Sequence, residues 1–293
     1  MELKNELLKF ILPLFIVLLL LVLLFFMIQP MSPQEKTAMP KPNAQGEYEI
    51  KVRMGSPAEE VYQRNPNLFE ESESGVGPAF MRPELSFNQL KKTKIKILAK
   101  DFQPVLDFEG GAQDIRLVNS ADIPNAGISN FLIRFPIVEG EHVDRVLYER
   151  YRQILNRLKH YGWIPYIPPE SARVLGEESW QPDLFNDGYF IDSFEKWKKY
   201  ASSNRIGAYF YKDNLILILN ISDVNSKVEI NTAETHYILS RKEDDRFEHW
   251  KTYLKQDLVK WKEQRAEEEA KLKAKGVTIA ADYVDAPIPS IEQ

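Results

Sequence analysis

Two pairs of acidic residues lie close together in this chain: Asp107 with Glu109, and Asp183 with Asp187. Converging carboxylates can divide a hydrolysis between them, one donating a proton and the other accepting one. An envelope enzyme acting on peptidoglycan or lipid would use such groups. The chain carries 43 Asp and Glu residues, so closeness in sequence is weak support by itself.

Ser193 and Lys196 have the SxxK spacing of serine acyl-enzymes. The companion motifs fail: Ser222-Asp223 is followed by Val224 where an asparagine belongs, and no Lys-Thr-Gly occurs. The plainer reading makes Ser193 a helix cap and Lys196 its solvated neighbour. The stretch Asp183 to Glu195 resembles a calcium loop at Asp187 and Gly188. Phe185 and Phe194 stand where oxygen ligands are needed, and Glu195 is one position out of register. The four histidines, His142, His160, His236 and His249, are scattered, and there is no cysteine. Disulfides, thiolate metal sites and a cysteine nucleophile are therefore excluded. No phosphate-binding glycine loop, dinucleotide fingerprint, HExxH or GxSxG is present. No cofactor or metal is expected.

Aromatic density is the feature that remains. Between Tyr161 and Tyr211 the chain places Trp163, Tyr166, Trp180, Phe185, Tyr189, Phe190, Phe194, Trp197, Tyr200, Tyr209 and Phe210. Most must serve packing, because aromatic side chains dominate burial. The long segment from Gly162 to Asp192 has few element signals, and loops of that length are uncommon unless functional or disordered. Interfaces favour Trp, Tyr and Arg. Trp163, Tyr166, Arg173, Trp180, Phe185 and Tyr189 are the candidate partner-binding residues.

The elements around these residues follow from periodicity. Glu47 to Arg53 alternates strictly, as a half-buried strand does. Ser56 and Pro57 open a short helix as N-cap and first helical residue, and Glu70 to Pro78 reads as a loop. Short strands are expected at Lys94 to Ala99, Phe102 to Phe108, Ile115 to Val118 and Asn130 to Val138, with a Gly110-Gly111 turn. Val143, Val146, Leu147, Tyr151, Ile154, Leu155 and Leu158 form one apolar stripe on a helix that Gly162 ends. A second short helix runs from a cap at Asp192 or Ser193 to Tyr200. Ile206 to Tyr211 and Leu215 to Ile221 form a hairpin over Lys212-Asp213-Asn214. Leu215 to Leu219 is apolar throughout and should be covered on both faces. Further strands are expected at Lys227 to Ile230 and His236 to Arg241. A long helix follows from Glu243 to about Lys275. Its seam (Phe247, Trp250, Leu254, Leu258, Trp261) stops midway and leaves a solvated second half and a loose tail at 276–293.

All of this follows an apolar segment. Phe10 to Ile28 carries no charge and spans about 28 Å as a helix, close to the roughly 30 Å hydrocarbon core of a bilayer. The residues after it, Gln29-Pro30-Met31-Ser32-Pro33, offer no small-residue cleavage site, which favours an uncleaved anchor over a signal peptide. The bilayer is thus one partner, through residues 10–28. Lys4 and Lys9 precede the span and bias residues 1–9 slightly to the cytoplasm. The domain then lies outside, in the periplasm of a bacterium. Residues 29–46 form a proline-containing spacer with a reach on the order of 25 Å.

The expected fold is α+β, a mainly antiparallel sheet packed with helices and ending in a long charged helix. It occupies 47–275, with two lobes conceivable at 47–140 and 141–275. A net charge of -5 argues against nucleic acid as a partner. The expected function is a membrane-tethered, extracytoplasmic domain that binds a protein partner. An immunity-type inhibitor and a subunit of an envelope assembly are concrete forms of it, and the envelope enzyme is the alternative.

Overall fold

Tyr48, Ile50 and Val52 are buried and alternate with half-buried Glu49, Lys51 and Arg53, which makes β1 (Glu49–Arg53) a one-sided strand. In the computed structural model, residues 42–43, 46–72, 79–119, 127–140, 142–181, 184–201, 206–233, 236 and 250–286 are described. Within them β1 is followed by α1 (Ala58–Arg64), β2 (Phe69–Ser72), β3 (Ala79–Pro83), α2 (Phe87–Leu90), β4 (Lys94–Leu98), β5 (Pro104–Glu109), β6 (Asp114–Asn119) and β7 (Ile128–Arg134). Then come α3 (Val143–His160), β8 (Ile164–Pro165), α4 (Phe194–Tyr200), β9 (Ile206–Lys212), β10 (Leu215–Ile221), β11 (Lys227–Thr232) and α5 (Trp250–Ala274). The apolar run 10–28 and the tail 1–9 lie outside the described residues, as does most of the spacer. Among the described residues no helix is long and apolar enough to cross a membrane.

The architecture is α+β. Every neighbouring pair in the eight-stranded sheet, ordered β2-β3-β6-β7-β11-β10-β9-β8, is antiparallel. A second sheet, β1-β4-β5, joins β1 and β4 in parallel. Residues Pro40–Gln293 form one compact unit. The β7–β11 ladder, Asn130 opposite Asn231, carries the large sheet across residue 140. Gly110 and Gly111, both at positive φ, lead from β5 in the small sheet to β6 in the large one.

One core joins the two sheets to α3. Ile50, Ile95 and Leu106 from the small sheet meet Ile115, Phe131, Leu217 and Phe210 from the large one, with Leu147, Tyr151, Leu155 and Leu158 of α3. The other face of the large sheet is covered by α5. There Ile216 and Tyr166 pack with Leu254, Leu258 and Trp261. β10 is therefore covered on both faces, as its unbroken apolar run requires. Asp213 (φ 46°) and Asn214 (φ 67°) close its hairpin, a turn needing positive φ at both central residues.

Several expectations are corrected. Ser56 does not cap α1: its hydroxyl donates back to the Arg53 carbonyl at 2.7 Å, and Pro57 occupies the cap position. Part of the expected 70–78 loop belongs to β2, which pairs with β3. His236 is helical rather than the start of a strand, while 237–241 lie outside the described residues. The second half of α5 is not solvated on all sides. Arg265, Glu269 and Leu272 are buried. Arg265 donates to the Pro168 carbonyl (2.7 Å) and pairs with Asp285 (2.6 Å). Nor is the tail loose as far as Ala286. Ala280 N–H donates to the Arg173 carbonyl at 2.8 Å, and the Tyr283 hydroxyl accepts from Ile167 N–H at 2.7 Å. The charged side chains are buried because each finds a partner in the loop below, which removes the penalty of burying a lone charge.

Candidate functional site

Beside its buried stripe, α3 carries a second one: Val146, Glu149, Arg150, Gln153 and Arg157 recur at helical spacing. This flank faces the end of β5 and the segment after β7. Together with Phe108, Glu109, Gly110, Gly111, Phe135 and Pro136 it lines an open groove of about 350 Å³. Only glycine suits position 110, where a Cβ would lie 2.3 Å from the Lys91 carbonyl oxygen. A second depression of about 430 Å³ continues along the helix, lined by Asp107, Gln153, Asn156, Arg157, His160 and Tyr161. Gln153 and Arg157 line both depressions.

The two arginines differ in their electrostatics. Arg157 is held by Asp107, with Glu109 4.0 Å away on its other side. Arg150 donates to the Pro136 carbonyl at 3.0 Å and stands 5.4 Å from the centre of the Phe135 ring. No described carboxylate pairs with it. Burial without a counter-charge pushes its guanidinium pKa below the usual arginine range. Burial and the neighbouring Asp107 push the Tyr161 hydroxyl up.

The six aromatic-loop candidates sit elsewhere, and none is fully exposed. Trp163 is buried, and its indole donates to the Val105 carbonyl at 2.6 Å, closing part of the β5 edge. Tyr166 is buried, with its ring against Tyr209 and His236. Neither offers surface to a partner. Arg173 forks onto Glu269 at 2.7 and 2.9 Å. Trp180 donates to the Asp187 carbonyl at 3.3 Å, and Phe185 packs on Tyr209. Tyr189 donates to the Trp163 carbonyl at 2.8 Å, with Lys159 above its ring. The loop is pinned as a layer over the sheet, with Trp163, Trp180 and Tyr189 bonded to backbone and Arg173 to α5.

The candidate carboxylates do not converge as a free pair. Asp107 and Glu109 share Arg157. Asp187 accepts backbone N–H groups from Gly176 (3.1 Å) and Tyr189 (2.9 Å), a loop-tying role, and Asp183 lies outside the described residues. Ser193 caps α4 by accepting from Lys196 N–H at 3.2 Å. The Lys196 ammonium turns to the Phe190 carbonyl and Asp192 instead of the serine hydroxyl. Among the described residues no group of acids and histidines is placed to hold a metal. Sequence reasoning missed Arg150, Gln153 and Arg157, although two arginines seven residues apart beside an apolar stripe were there to be noticed. No protein-family model, curated protein or solved structure matches this chain.

Proposed function

We propose that this chain is a single-pass membrane protein whose folded unit is a protein-binding domain held outside the cytoplasmic membrane. The observation that carries the reading is the order of its parts. An uncharged Phe10–Ile28 run long enough for a bilayer comes first, then a proline spacer, then a folded unit. The open groove beside α3 suits a binding role, since both apolar and charged groups line it. An inhibitor waiting at the membrane for a toxin has this layout, and so has a subunit of an envelope assembly. Of the carboxylates on which an envelope enzyme would rely, Asp107 and Glu109 are engaged with Arg157 and Asp187 with backbone N–H groups.

The absence of cysteine makes the topology directly testable. Asp101 is exposed, and a single Asp101→Cys change gives one labelling site. A membrane-impermeant maleimide added to cells with a permeable outer layer is expected to label it. Labelling only after lysis would overturn the proposed location. Crosslinking in native membranes followed by detergent extraction is expected to recover one stoichiometric protein partner, and recovery of none would overturn the binding role.

A further inference from the structure

The depression at the C-terminal end of α3 differs in kind from the groove beside it. The groove is walled in part by Phe108, Phe135, Pro136 and Val146. The depression has no aliphatic lining: Asp107, Gln153, Asn156, Arg157, His160 and Tyr161 all carry polar groups. Gln153, Asn156 and His160 stand three and four residues apart on one side of α3, neighbours at about 5 to 6 Å between Cβ atoms. All three are exposed, and none makes a hydrogen bond through its side chain to another described residue. The two charges, Asp107 and Arg157, are joined to each other. Glu109, 4.0 Å from Arg157, lines the groove and not this depression. The rings of His160 and Tyr161 meet edge to face with 4.9 Å between centres, which leaves both faces of one ring clear of the other.

We infer that this depression binds a neutral saccharide. Charge argues against an ion, because the one carboxylate and the one guanidinium already offset each other. The lining argues against an apolar ligand, which would take water from these polar groups and give no hydrogen bond in return. An uncharged ligand with hydroxyls on several sides meets both conditions. Each hydroxyl donates and accepts, as does each side-chain amide. Gln153 or Asn156 can therefore donate to one hydroxyl and accept from the hydroxyl on the next ring carbon. Asp107 adds acceptors and Arg157 donors in the same wall. A sugar ring also has a C–H face, which packs on the free face of the His160–Tyr161 pair. The volume of about 430 Å³ lies within the range of about 300 to 1,000 Å³ usual for small-molecule sites. This site goes beyond the protein-binding role and does not depend on it.

The test uses the full-length chain in micelles of a detergent that has no sugar headgroup. Saturation-transfer NMR with chitotriose, cellotriose and maltotriose reads the contact from the ligand side. At least one of the three is expected to receive saturation, strongest at its ring C–H protons. A preference for chitotriose would assign the site to acetylated amino sugars, and a preference for either of the others to glucans. Asn156→Ala and Gln153→Ala, both changes at exposed positions, should each weaken the preferred sugar about fivefold, the effect of losing about one hydrogen bond. Glu149→Ala, in the neighbouring groove, should leave it unchanged. Absence of saturation from all three sugars would overturn the inference. So would wild-type binding by both Asn156→Ala and Gln153→Ala, or a loss in Glu149→Ala as large as theirs. Equal saturation of a blocked triglycine peptide, which offers amides but no hydroxyls, would overturn it as well.

Discussion

Acidification should unfold this domain through one histidine. His236 is half-buried against the rings of Tyr166 and Tyr209, at 5.8 and 6.3 Å, and desolvation there lowers its pKa to about 4; Glu229 opposes the shift only in part. A histidine whose folded pKa lies below its unfolded value near 6.5 is neutral in the native state and takes up a proton on unfolding. Stability is thus complete above pH 6.5, falls as the pH drops from there, and levels off below about 4. The full difference is about 3 kcal/mol, of which about 2 kcal/mol is gone by pH 5. The paired carboxylates titrate lower. Glu60, held by Arg53, has its pKa lowered to about 2, so its contribution is present above about 4.5 and lost as the pH falls through 2. The window from pH 7.5 to 5 therefore isolates His236. Urea unfolding of the detergent-solubilised chain can be followed through the buried Trp163 and Trp197. Wild type should lose about 2 kcal/mol across that window. His236→Gln should lose far less, whatever its stability at neutral pH. Parallel curves for the two proteins would refute the assignment.

Leu155→Ala, at a fully buried position of α3, should cost roughly 2 to 5 kcal/mol in the same unfolding assay. Gly188→Ala should lower the melting temperature at a cost of about 1 to 3 kcal/mol, because its Cβ would fall 2.6 Å from the Phe210 ring and 2.7 Å from the Ala208 Cβ. Glu269→Ala should cost about 1 to 3 kcal/mol, since it strips the Arg173 guanidinium and backbone N–H of their acceptor. Truncation after Lys262 should loosen the 166–174 loop, read as new protease cleavage there. An unchanged digestion pattern would mean that the second half of α5 holds nothing down.

Local pattern was enough for the elements that bury apolar side chains at a regular interval. The alternation of β1, the stripe from Leu147 to Leu158, the Asp213-Asn214 hairpin and the doubly covered β10 were all legible, because water is excluded from one face at the period of the element. Tertiary structure alone decided the parallel pairing of β1 with β4 and the ladder between β7 and β11, which join segments far apart in the chain. It also decided the second half of α5. Arg265 and Glu269 look like solvent-facing residues in a charged helix, yet both are buried and bonded to Pro168 and Arg173 almost a hundred residues earlier and to Asp285 in the tail. The groove beside α3 was hidden for the same reason. The type of Arg150 was readable, but its bond to the Pro136 carbonyl and its place beside the Phe135 ring depend on how the segment after β7 packs against α3, and no periodicity within α3 encodes that.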